Sequence, residues 1–403
     1  MRITTIAGGL TCVEGIRAAG LFAGIKPATA PDLALIVSDR PAVAAALFTR
    51  NHFQAPPLIL TRRHLRRGRL QAIVVNSGNA NACTGARGLT DAQTLTHDAA
   101  RLLGIPAESV AIASTGVIGV PLPMGKMRGA LPALVNRLST AGSRQAARAI
   151  MTTDTTVKEV ALQGRVDGRT VRLGGIAKGS GMIHPQMATM LAFLTTDTVI
   201  GAPLLRRALA EAADASFHAI TIDGDTSTND LVLCLATGGA GHRPLRAGSA
   251  AYGQFRALLT EGCRRLARLM IQDAEGATKI LQLIVTGAST PTQARQVAQA
   301  VARSLLVKTA FYGQDPNWGR IMAAIGASGA AVRQERVSIA FGPATMVRRG
   351  VSAGSAAEAK GAAVLRQREI PVRIHLGNGR ASTTLWTCDL TDAYIRINAH
   401  YRS

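Results

Sequence analysis

The stretch Lys178–Asp197, KGSGMIHPQMATMLAFLTTD, decides how this chain is read. It opens on glycines and a single lysine, crosses Pro185 and closes in an apolar run. The run TMLAFL, Thr189–Leu194, predicts a buried strand. Thr189 sits between Ala188 and Met190, and its ordinary reading is a β-former in that strand. A second reading rests on the residues before it. Gly179 and Gly181 permit a tight, strained backbone of the kind a self-cleaving peptide needs. A threonine whose own α-amine becomes free can be a nucleophile, because that amine (pKa ~7.7–8) can act as its base.

Outward from this stretch, short apolar runs alternate with alanine-rich helical stretches. DLALIV (Asp32–Val37), QAIVVNSG (Gln71–Gly78), SVAIASTGVIG (Ser109–Gly119) and LVLCLAT (Leu231–Thr237) read as strands. DAQTLTHDAARLLG (Asp91–Gly104), APLLRRALAEAADASF (Ala202–Phe217) and QARQVAQAVARSLLV (Gln293–Val307) read as helices. Asp167–Gly168 is a hairpin signal. The mixture predicts an α/β (α+β) protein with layered sheets. The breaker cluster TGASTPTQ, Thr286–Gln293, predicts a boundary between a core over residues 1–285 and a smaller α/β domain over 286–403.

Composition narrows the classes. The chain has 403 residues, 47% of them apolar and 17% charged, which supports a sizeable core and excludes a disordered chain. The net charge is +22. That charge fits either an anionic partner or an arginine-rich solvated surface. Aromatics are only 3%, too few for base-stacking platforms, so the surface reading is preferred over a nucleic-acid partner. The densest basic cluster, TRRHLRRGRL (Thr61–Leu70), reads as a solvent-facing helix end or loop and as a weak candidate for a coenzyme-phosphate patch. Five cysteines without a CxxC argue against a disulfide framework or zinc site and for a reducing cytosol. The N-terminal residues lack the pattern of a signal peptide. No run reaches the ~18 apolar residues of a membrane span, so a cytoplasmic protein without membrane association is expected.

Familiar site motifs fail. There is no P-loop, and KGSGMIHP lacks the third glycine of a dinucleotide fingerprint. DGDTSTND (Asp223–Asp230) lacks the glycine and the bidentate glutamate of a calcium loop. The histidines show no HExxH, so no metal is expected, and His184 reads as a loop residue. STG, Ser114–Gly116, does offer a hydroxyl and backbone N–H groups at a strand end, as oxyanion holes require.

Taken together, KGSGMIHPQMATMLAF, DLALIVSD, ALFTRN, NSGNANACTG, ASTGVIG, IMTTDT, TIDGDTSTND, DAEGATK, VKTAFYGQDPNWGRI and CDLTDAYIRINAHYRS resemble, in order, segments of the ornithine acetyltransferase family. These are the bifunctional glutamate N-acetyltransferases of arginine biosynthesis, and the segments span nearly the whole chain. The resemblance implies an αββα sandwich of the N-terminal-nucleophile-like type. It implies self-cleavage between Ala188 and Thr189 into a light chain 1–188 and a heavy chain 189–403. It assigns Thr189 as nucleophile, Thr115 and Gly116 as the oxyanion hole, and Thr155, Lys178, Thr189, Glu275, Asn398 and Ser403 as substrate-binding residues, with the C-terminal tail returning to the active site. The implied substrates are N2-acetylornithine and glutamate, with acetyl-CoA as a further candidate donor and no bound cofactor. The implied assembly is a heterotetramer of two light and two heavy chains. His184 and Gln186 stand where the family more often has alanine and asparagine, and Ser403 where threonine is frequent. A related N-terminal-nucleophile aminopeptidase or amidase, with water as acceptor, and a secondary-metabolism acyltransferase are the alternative enzyme readings.

Overall fold

The computed structural model of the chain describes residues 2–27, 29–184 and 190–400. The expectations attached to Gln186, Ala188, Thr189 and Ser403 lie outside the described residues. Two compact units emerge. The first holds Met1–His218 and Asp225–Met270, the second Ala219–Gly224 and Ile271–Arg402.

The strands of the first unit are β1 (Thr4–Thr5), β2 (Ile16–Leu21), β3 (Leu33–Phe48), β4 (Arg69–Asn79), β5 (Val110–Val117), β6 (Lys158–Val166), β7 (Arg169–Lys178), β8 (Leu191–Thr196) and β9 (Leu231–Ala236). Its helices are α1 (Pro56–His64), α2 (Gly85–Leu103), α3 (Met124–Asn136), α4 (Ser143–Ala149), α5 (Ala202–Asp214) and α6 (Ala250–Gln272). The strands run in the order β1-β6-β7-β8-β9-β3-β4-β5, with β2 on β3.

Strand β3 explains how one sheet becomes two layers. Its first half pairs with β2 and β4, its second half with β9, and the register breaks between Val37 and Ala42. Asp39, Arg40 and Pro41 are exposed at that break. The polar SDRP was therefore not a strand end, as the sequence suggested, but a solvated bend within a strand. Ala34, Ile36, Ile73, Val75, Ala111 and Ala113 from one half meet Ile176, Leu191, Phe193, Leu231 and Leu233 from the other in a single core. The alternate residues Leu33, Leu35, Val37, Val74 and Ile112 face outward onto Leu95 and Ala99 of α2 and Leu131 of α3. The period of two along each strand makes both faces apolar, as a sheet covered on both sides requires. On the opposite outside, a Cβ on Gly262 of α6 would lie 2.4 Å from Leu173, and one on Gly175 of β7 would lie 3.0 Å from Leu266. Missing side chains thus let α6 lie close on β7. The result is the expected helix–sheet–sheet–helix layering.

Local signals mostly kept their positions. The β6–β7 hairpin turns at Asp167 (φ 48°) and Gly168 (φ 75°), the pair of positive values a type I′ turn demands. Helix α2 starts before the expected Asp91 and ends on left-handed Gly104.

In the second unit, β10 (Ile280–Ala288), β11 (Ser338–Phe341), β12 (Ala344–Arg348), β13 (Val351–Ser352), β14 (Glu369–His375) and β15 (Ala381–Cys388) form a sheet of order β13-β12-β11-β14-β10-β15. Helices α7 (Pro291–Arg303), α8 (Leu305–Tyr312), α9 (Trp318–Gly326), α10 (Ser355–Leu365) and α11 (Asp392–His400) accompany it. Its core joins Leu283, Val285, Val297, Val301, Phe311, Ile339, Phe341 and Val372. Strand β10 lies between β14 and β15. A boundary at 285/286 would cut that central strand, and the units divide instead at Met270/Ile271. The helix expected over Gln293–Val307 is two helices, because Ser304 leaves the helical conformation and its hydroxyl accepts the Val307 N–H as the cap of α8. Among the described residues no helix is long and apolar enough to cross a membrane.

Candidate active site

The start of β8 is the reference point, since Met190 directly follows Thr189 in the sequence. Leu191 pairs with Lys178 at the end of β7 on one side and with Leu231 at the start of β9 on the other. Lys178 is buried. Its Nζ lies 3.9 Å from Asp154 Oδ2. Asp154 is fully enclosed. It accepts hydrogen bonds from Lys158 Nζ at 2.6 Å, the Gly179 amide at 2.7 Å and the Thr152 amide at 3.0 Å. Burial pushes its carboxyl upward, but the charges of Lys178 and Lys158 and these hydrogen bonds outweigh burial and hold it at about 2. The carboxylate thereby fixes Lys178 and the turn after it as one charged assembly. Positive φ falls at Gly179 (146°) and at Met182 (52°). His184 is half-buried in the loop that follows.

The expected oxyanion pair lies at the end of β5. Thr115 is buried. Gly116 has φ 131°, and a Cβ there would sit 2.3 Å from the Gly78 carbonyl carbon and 2.5 Å from the Asn79 nitrogen. Only glycine lets β4 and β5 approach so closely. Asn229, just before β9, ties this end to the rest. Its amide donates to Ala80 O at 2.7 Å and to Ser114 O at 2.8 Å. Lys26 adds a further cation. Its Nζ donates to Pro31 O at 3.0 Å and Met151 O at 2.6 Å, and burial, helped by the charge of Lys178, lowers it to about 8. So Thr115, Gly116 and Lys178 share one unit with the strand that begins after Thr189.

Thr155 is exposed, whereas the hydroxyl of Thr153 shares a 2.8 Å hydrogen bond with Ser180 in the turn after Lys178. In the second unit Glu275 is buried and accepts from Asn398 Nδ2 at 2.8 Å. A Cβ on Gly276 (φ 64°) would lie 2.6 Å from the Tyr394 nitrogen, so this glycine lets α11 sit on the Glu275 turn. Thr391 Oγ1 donates to Gly276 O at 2.8 Å and Asp389 accepts the amides of Thr278 and Lys279, which locks that turn. The basic cluster is a helix end, as expected: α1 runs into a short 3-10 turn at Leu65–Arg67. Among the described residues no group of three or more His, Cys, Asp or Glu could hold a metal ion.

Sequence reasoning passed over Lys26, Asp154, Lys158 and Asp230. Asp154 lay inside the quoted IMTTDT and Asp230 inside TIDGDTSTND, but nothing in those strings says which charges are buried.

The family profile described as "ArgJ family" matches residues 17–403. A Geobacter sulfurreducens protein named arginine biosynthesis bifunctional protein ArgJ is 49% identical over 393 residues, covering 97% of this chain and 100% of that one. The Geobacillus stearothermophilus protein of the same name is 45% identical over 404 residues, covering 100% and 98%. Among solved structures, the ornithine acetyltransferase of Mycobacterium tuberculosis complexed with ornithine is 40% identical, covering 47% of this chain and 99% of that one with a TM-score of 0.43.

Proposed function

The chain belongs to the ArgJ family and is an acyltransferase of arginine biosynthesis, and we propose that it moves the acetyl group of N2-acetylornithine to glutamate through Thr189. One observation carries the site assignment: Lys178, the Thr115–Gly116 strand end and the strand that starts after Thr189 converge in one unit.

The chemistry runs in two stages. The Thr189 hydroxyl attacks the Ala188 carbonyl, an N→O shift makes an ester, and water releases the new N-terminus. The freed α-amine then takes the Thr189 hydroxyl proton as the oxygen attacks the acetyl carbon. Thr115 and Gly116 donate to the tetrahedral oxyanion; one such donor is typically worth ~2.7–4 kcal/mol. The amine of ornithine leaves with the proton. Glutamate attacks the acetyl-Thr189 ester in the second half-reaction, giving N-acetylglutamate. Lys178 holds a substrate carboxylate and Glu275 an ammonium, with Asn398 orienting Glu275. Thr155 and Ser403 complete the substrate contacts. The reaction needs no bound cofactor, and acetyl-CoA serves as an additional donor substrate. The enzyme works in the cytoplasm as a heterotetramer of two light and two heavy chains, and its basic surface serves solubility, not nucleic-acid binding.

Intact mass of the purified protein tests this. Two chains broken at 188/189 are expected from the wild type and one uncut, inactive chain from Thr189→Ala. Acetylornithine turnover is expected to require glutamate. Equal hydrolysis without glutamate would make the enzyme an amidase.

A further inference from the structure

Asp230 ends the TSTND segment and immediately precedes β9. It is fully buried. Its Oδ1 accepts the Met190 amide at 3.0 Å. The Met190 carbonyl in turn accepts the Leu231 amide at 3.1 Å. These two bonds fix the residue just before β8 on both sides of its backbone. The other carboxyl oxygen, Oδ2, is buried and has no hydrogen-bond partner among the described residues. A buried carboxyl oxygen without a partner is costly, and such a group in a native protein calls for a reason.

Covalent connectivity supplies one. The Thr189 amine is separated from the Met190 nitrogen only by its own Cα and carbonyl carbon. We infer that Asp230 is the positioning residue for the new N-terminus, Oδ1 holding the Met190 amide and Oδ2 accepting from the Thr189 α-ammonium. The inference rests on the reading of Thr189 as the nucleophile. Before cleavage there is no amine, and burial outweighs the Met190 amide, the Thr49 hydroxyl, the Lys178 charge and the Ser227 amide and keeps the Asp230 carboxyl well above the usual carboxylate range. The uncut chain therefore tolerates it as a neutral group. After cleavage the ammonium provides the opposite charge. When Thr189 attacks, its hydroxyl proton moves to the amine, and the resulting ammonium is steadied by Asp230 until the leaving amine takes the proton away. The other charges near this strand start are Lys178 on β7, which acts against the ammonium, Asp154 and Lys158 behind it, and Lys26 beyond Lys178.

Asp230→Asn tests this, because the amide oxygen still accepts from Met190 while the charge is lost. In the full-length protein kcat is expected to fall about 100-fold with KM for acetylornithine within about two-fold. The acid limb of kcat/KM is expected to move about one unit toward lower pH, since the amine loses the carboxylate that favours its charged form. A cut variant with wild-type kcat and an unmoved limb overturns the proposal. If Asp230→Asn does not fold, the wild-type profile decides: an acid limb above the ordinary α-amine range of about 7.7–8 is expected, and one at or below it overturns the proposal. Thr189→Ala keeps the two ideas separate. If that variant is still cleaved and active, the nucleophile reading fails; if it is uncut and inert, only Asp230→Asn bears on the proposal.

Discussion

Two buried aspartates flank the start of β8, and the same unit treats them in opposite ways. Asp154, behind β7, has two lysines and two backbone amides and stays charged, held at about 2. Asp230, before β9, has the Met190 amide on one oxygen, a second oxygen without a hydrogen-bond partner among the described residues, and a carboxyl raised well above its ordinary value. Both are enclosed, so burial alone does not set their charge. Fixed counter-charges do. The satisfied pocket acts as a permanent anchor for Lys178, while the unsatisfied one is suited to a partner that appears only after cleavage.

The largest test attacks the anchor. Asp154→Ala removes the carboxylate from the fully buried Lys158 ammonium, and breaking such a pair typically costs ~3–5 kcal/mol. Urea unfolding is expected to show a loss of that order. A loss below about 1 kcal/mol would mean that the two pockets differ less than their geometry implies.

A smaller effect sharpens the difference in sign. The depressed Asp154 contributes stability that is present above its unfolded pKa of 3.8 and is lost as pH falls through about 2, roughly 2 kcal/mol in all. The stability gap between wild type and Asp154→Asn is therefore expected to narrow on acidification below about pH 4. The raised Asp230 behaves oppositely. Its contribution is fully present below 3.8 and is lost as pH rises through its raised folded value. A gap for Asp154→Asn that widens in acid would break the comparison.

The smallest effect is a control. Arg17 and Asp39 pair at 3.0 Å, but both side chains are largely in solvent. A double-mutant cycle there is expected to give no more than about 1 kcal/mol, screened by salt. A larger coupling would mean that enclosure is not what gives the Asp154 pair its strength.

The parts of the site readable in the sequence were those whose signal is local. The ASTGVIG strand end, the glycine-flanked Lys178 and the Asp167–Gly168 hairpin depend on near neighbours and lie where the pattern put them. The three threonines around Asp154 are alike as letters, and only packing sets the Thr153 hydroxyl against Ser180 and leaves Thr155 exposed. The length of β3 was misjudged for a related reason. A polar, proline-containing segment looks like a loop until its ends are seen paired to different halves of one sheet.

By itself the sequence determined the class of layers and the family, because apolar periodicity, glycine conformations and motif order are properties of consecutive residues. Which charges are buried, and which of them face one another, was decided by the tertiary structure alone. Asp154 and Lys178 are brought together by the antiparallel pairing of the β6–β7 hairpin, and Asp230 meets Met190 only because β8 and β9 run parallel. Desolvation and counter-charge act through space, so no reading along the chain distinguishes the aspartate that anchors a lysine from the one left with an open oxygen.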